Sequence, residues 1–161
     1  MMQTSIRGKR RRARELAVQA LYRHAIAGET IEQAVSQVVE LIQETTSRDE
    51  PVDRAYLQQI ADGVVQHQHD IDPMIAALLH NWSPERLSIV DRTILRLGSY
   101  ELLFEIDLPA QIIIDEAIEL CKRFGGADSN RIINGVLEQV ALQVRQNMAA
   151  TSDNAPKIMA G

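Results

Sequence analysis

One stretch limits the fold more than any other. Arg7 to Ala27 holds strong helix formers and no proline, and it runs into Gly28, the residue type that most often ends a helix. At about 100° per residue its side chains separate into two faces. Ala13, Leu16, Ala17, Ala20, Leu21 and His24 share one, a small-residue face suited to close packing. Arg7, Arg10, Arg11 and Arg14 follow one another at helical spacing on the other, and Val18, Tyr22 and Ala25 continue that stripe. The outer face therefore starts cationic and turns apolar. A purely solvated face has no use for Val18 and Tyr22. The stretch predicts one helix with a core side and a partner side, the latter divided between a polyanion and a protein.

Charge sharpens this reading. The net charge of −5 alone argues against nucleic acid, but residues 1–14 carry six of the 17 Lys and Arg and none of the 22 acids. The other residues hold 11 cations against 22 acids, so a basic end sits on an acidic body and directs a polyanion to one place. Hydrophobic residues make up 45% of the chain and aromatics only 4%, which predicts an aliphatic, helical core. The length of 161 residues fits a single domain, 1–161, or two small subdomains sharing a core. The lone Cys121 excludes an internal disulfide framework and suits a reducing cytoplasm. No apolar run approaches 18 residues, which argues against a membrane span.

Further helices follow in order. Residues 1–6 read as frayed. Thr30 to Gln33 is a capping box that opens a second helix. Thr45 to Pro51 reads as a loop, and Asp53 caps a third helix carrying Tyr56, Leu57, Ile60 and Val64. Asp72-Pro73 and Ser83-Pro84 each read as the start of another helix. The one after Pro84 is apolar almost all round, with Leu87, Val90, Ile94, Leu97 and Leu102 on one side, so neighbours must surround it. Glu101 falls on its most apolar face, where a carboxylate must be paired. A penultimate helix starts at Pro109 or Ala110 and stops at Gly125-Gly126. Asp128 or Ser129 caps the last, and residues 147–161 read as a flexible tail. The sum is an all-α chain of about seven helices.

Chemistry of the catalytic kind is not legible. The chain has no phosphate-binding glycine loop, no nucleophile elbow and no Cys–His metal spacing. His67 and His69 stand two apart and do not share a helix face. Asp115, Glu116 and Glu119 read as a solvated acidic face, Cys121 as core, and Trp82 as a packing anchor. No catalytic or metal-ligating set emerges. Arginines in a row can grip phosphates bidentately and stack on bases. Arg92 and Arg96, one turn apart, and Lys122 and Arg123, at a helix end beside the Asp128 to Arg131 turn, add basic groups.

Three segments in register then resemble the NusB-type transcription antitermination factors: RRRARELAVQALY from Arg10 to Tyr22, DRTILRLGSYEL from Asp91 to Leu102, and DEAIELCKRFGGADSNRIINGVL from Asp115 to Leu137. The resemblance covers most of the chain and is weakest from Gly28 to Asn81. It implies two small helical bundles sharing a core and no catalysis or cofactor. It also implies binding of single-stranded boxA leader RNA together with NusE, the small-subunit ribosomal protein. Other Nus factors and RNA polymerase complete the assembly that the resemblance implies.

Carried over by position, the RNA surface falls on Arg10, Arg11, Arg12, Arg14, Arg96, Lys122, Asp128 and Arg131. The NusE surface falls on Tyr22 and Asp91, with Val18 on the same apolar stripe; left uncovered, that stripe can pair two copies of the chain. Ile132 stands where many members carry phenylalanine. Base stacking worth about 1–3 kcal/mol is lost there. The alternative is a NusB-like module of an RNA methyltransferase, though no glycine-rich cofactor loop is present.

Overall fold

The computed structural model describes residues 2–45, 52–79, 87–126 and 128–160, with side chains described from 6 to 145. Among these residues are six helices and no strand: α1 (Met2–Ala27), α2 (Ile31–Thr45), α3 (Arg54–Leu78), α4 (Ile89–Phe104), α5 (Ala110–Phe124) and α6 (Ser129–Ala160). The local signals act as read. Gly28 takes φ +73° directly after α1, in the left-handed region that side chains with a Cβ avoid. Thr30 and Gln33 exchange both capping-box bonds, each at 3.1 Å. Asp53 accepts from the Tyr56 amide at the start of α3.

α1, α2 and α3 pack on one another, α4, α5 and α6 do the same, and α4 also meets α1 and α3. Two three-helix bundles thus share one aliphatic core. Leu16, Leu57, Ile60, Ile94, Leu97, Leu102, Ile133 and Leu137 are among its fully buried side chains. Gly63 allows α3 to lie directly on the Tyr100 ring, and Gly98 allows α4 to approach Leu137 at a spacing no added methyl would accept.

Three boundaries differ from the sequence reading. Pro73 does not open a helix; it lies inside α3. The buried series Ile60, Val64, Ile71 and Ile75 continues past it, while Pro73 itself is exposed, where solvent can serve the carbonyl that lost its amide partner. α4 begins at Ile89, with the Ser88 hydroxyl accepting from the Asp91 amide at 3.0 Å. The expected start at Ser83-Pro84, the Trp82 anchor, and most of the loop from Thr45 to Pro51 lie outside the described residues. The helix of α6 continues past Asn147, where the sequence reading places a tail. No helix among the described residues is long and apolar enough to cross a membrane.

Candidate nucleic-acid interface

α1 carries the site, and its arginines meet four different fates. Arg10 lies with its guanidinium 4.5 Å from the centre of the Tyr56 ring. Arg11 is exposed and donates through Nε and Nη2 to the two oxygens of Glu116, at 3.0 and 3.1 Å. Arg12 Nη1 donates to Glu15 at 2.6 Å, and the same oxygen lies 3.6 Å from Arg123 Nε on α5. Lys122 is exposed beside Arg123 and pairs with Glu119 one turn back. Asp128 and Arg131 are exposed where α5 gives way to α6. Arg11, Lys122 and Arg123 thus form an exposed basic ridge that the first half of α1 shares with the end of α5, and Arg12, its side chain only 13% exposed, is tied to it through Glu15.

Arg14 is a correction. It continues the arginine stripe in sequence but is only 4% exposed, and it points inward. Its Nε and Nη2 donate to Glu101 at 2.8 and 2.9 Å, and Tyr56 Oη donates to the same carboxylate at 2.6 Å. Burial opposes the charged form of Arg14, but the Glu101 bonds and charge outweigh it, and the guanidinium is held even more firmly protonated than usual. Burial, reinforced by the Glu101 charge, pushes the Tyr56 phenol well above its ordinary range. The need for a partner at Glu101 was legible; the identity of that partner was not. Arg14 is therefore a structural clamp and not part of the surface.

Two further residues are repositioned. Arg96 is bound to α3, donating to both Asp72 oxygens at 2.7 and 2.9 Å. It lines a groove with Leu21, His24 and Val64, apart from the ridge. Asp91 is buried. Its carboxylate accepts from Ser129 Oγ at 2.7 Å, and that hydroxyl accepts from the Gly126 amide at 2.9 Å. Asp91 therefore holds the α5–α6 turn against the start of α4 and offers no free surface of its own. The nearby Cys121 is core as expected, and burial, with a smaller contribution from the Asp91 charge, pushes its thiol up to about 12.

The apolar half of the outer face is a groove lined by Val18, Tyr22, Ile26, Leu41, Val90 and Phe124. Tyr22 is 41% exposed and Val18 forms the buried floor. Leu41, Val90 and Phe124 lie on α2, α4 and α5, so only the fold assembles them, whereas Ile26 follows Tyr22 by one turn on α1 and its place on the stripe is legible in the sequence. Glu116 was misread as part of a solvated face: Asp115 and Glu119 are exposed, but Glu116 is buried beneath Arg11. Its spacing from Ile113, Ala117 and Leu120 places it on the inward stripe of α5, a signal that was available in the sequence.

A family model described as the NusB family matches residues 11–142. The chain belongs to the NusB family. Among curated relatives, the transcription antitermination protein NusB of Myxococcus xanthus is 37% identical over 139 residues, covering 86% of this chain and 99% of that one. The solved structure of T. maritima NusB superimposes with a TM-score of 0.70 at 37% identity, over 82% of this chain and 89% of that chain. A chain from a crystal structure of the antitermination factors NusB and NusE with double-stranded RNA also gives a TM-score of 0.70. It is 29% identical and covers 88% of this chain and 98% of that chain.

Proposed function

We propose that this NusB-family chain is a non-enzymatic transcription antitermination factor of the cytoplasm. It binds boxA-type leader RNA on the ridge of Arg11, Lys122 and Arg123, with Arg12 tied to it, flanked by Arg10, Asp128 and Arg131. It binds NusE in the groove of Val18 and Tyr22. The supporting observation is that one helix presents both: guanidinium groups ordered on its first half and an open apolar groove on its second. One chain of a solved complex of the antitermination factors NusB and NusE with double-stranded RNA shares this fold.

Arginine forks recognise phosphates, and base edges are read where strands are unpaired. A partner that adds its own RNA surface strengthens RNA binding, and RNA strengthens partner binding by the same factor. Within the larger assembly the pair works with other Nus factors and RNA polymerase.

The test is RNA affinity against salt, with and without NusE, using a single-stranded boxA-type oligonucleotide and an RNA duplex as competitor. Log affinity should fall with log salt at about −0.7 per neutralised phosphate on the single strand. NusE should tighten binding, and Tyr22→Asp should remove that gain. A flat salt response, or full RNA affinity in Arg11→Ala/Arg12→Ala, overturns the reading. Preference for the duplex overturns the single-strand assignment.

A further inference from the structure

Arg7 and Arg11, one turn apart on α1, converge on a single acid from another helix. Glu116 of α5 has a side chain only 3% exposed, yet Arg11 above it is 44% exposed. Both carboxylate oxygens accept from the Arg11 fork, and Arg7 Nε lies 3.7 Å from one of them. Arg11 spends Nε–H and one Nη2 hydrogen here; among the described residues its remaining donors, including both on Nη1, stay available. The carboxylate is buried, so it cannot turn to water if Arg11 leaves, and an uncompensated buried charge is strongly disfavoured. A long side chain that usually loses much rotamer freedom on binding is thus ordered beforehand.

We propose that Glu116 is a positioning residue for RNA: it holds the Arg11 fork, with Arg7 beside it, at a fixed height and angle on the ridge, so that phosphate meets a preset donor array. This rests on the reading of the ridge as an RNA surface. It also runs against simple charge counting. A carboxylate under a phosphate site repels the phosphate, so its removal should tighten binding if repulsion were its main effect. A brace predicts the reverse.

The experiment compares Glu116→Gln, Asp115→Asn and Arg11→Ala with the wild type, by affinity for a single-stranded boxA-type RNA. Asp115 is exposed on the same helix and bonds only Gln111 among the described residues, so its variant removes one charge without touching the arginines. Glu116→Gln should weaken binding about 2–10-fold, the cost of ordering one rotamer-rich side chain at the moment of binding. Asp115→Asn should bind equally or more tightly. NusE affinity should be unchanged in both, which a general loss of structure would not allow.

If Glu116→Gln binds as tightly as Asp115→Asn while Arg11→Ala is weak, the brace is overturned and the RNA surface stands. If Arg11→Ala also binds normally, the RNA surface itself fails. Should Glu116→Gln not fold, the wild type decides by side-chain NMR of arginine. The Arg11 Nε–H signal should be protected from exchange in the free protein and remain so in the RNA complex. Loss of that protection on adding RNA would mean that Glu116 competes with RNA, and would overturn the proposal.

Discussion

Arg11 and Arg14 stand three residues apart on one helix, and each donates through Nε and Nη2 to a buried glutamate at about the same distances. Yet Arg11 is 44% exposed while Arg14 is 4% exposed. The bonding is alike and the consequence is opposite. At Arg14 both charges are out of water, a Tyr56 hydroxyl completes the shell, and helices α1, α3 and α4 are tied at one point. At Arg11 only the acid is buried, so the cation is fastened at one edge and offered at the other. An ion pair closes the interior in the first case and furnishes a surface in the second.

Removing one side of each pair should separate the two roles, and the largest effect belongs to the buried one. Arg14→Ala leaves Glu101 charged and unpaired in the core and should cost about 3–5 kcal/mol of stability, read as a lower urea midpoint. A loss below about 1 kcal/mol would show that the clamp is not structural.

Tyr56→Phe removes the bond donated to Glu101 and a longer one accepted from Arg14, and should cost about 1.5–3 kcal/mol. It should also abolish an alkaline effect. The folded-state phenol titrates above its ordinary value of 10.0, so its contribution is complete below pH 10 and declines as the unfolded phenol ionises at higher pH. The wild type should lose stability over that range, and Tyr56→Phe should lose less; equal losses would break the assignment. Arg11→Ala should cost less than Arg14→Ala, about 1–3 kcal/mol of stability, because Glu116 loses its fork while buried but Arg7 remains 3.7 Å from it. Its main effect should be on RNA binding, the reverse of the Arg14 pattern.

These two arginines also mark how far the sequence could be read. The periodicity of α1, its end at Gly28, the capping box and the apolar surround of α4 depend on neighbouring residues, and they carried the helical fold. The split outer face was legible as a pattern, but its width was not. Round the helix, Arg14 stands about 100° from Ala13, Val18 about 140° and Arg11 about 160°. The buried arc extends through Val18, because α2, α3 and α4 all lie on α1. Periodicity ranks positions by angle; only the number of packed neighbours says where the interior stops. The same limit hid the partners of Glu101 and Glu116, 87 and 105 residues away from their arginines. Asp91 gave a charged residue at a plausible position, with no hint that Ser129 would cover it.

α1 is continuous from Met2 to Ala27. From Arg11 to Tyr22 along such a rod is about 16 Å, at 1.5 Å per residue. With no joint between the two stations, the molecule works as a gauge: whatever sits at the charged end and whatever sits at the greasy end are always held at that one separation, and a pair of guests cut to a different pitch cannot both be seated.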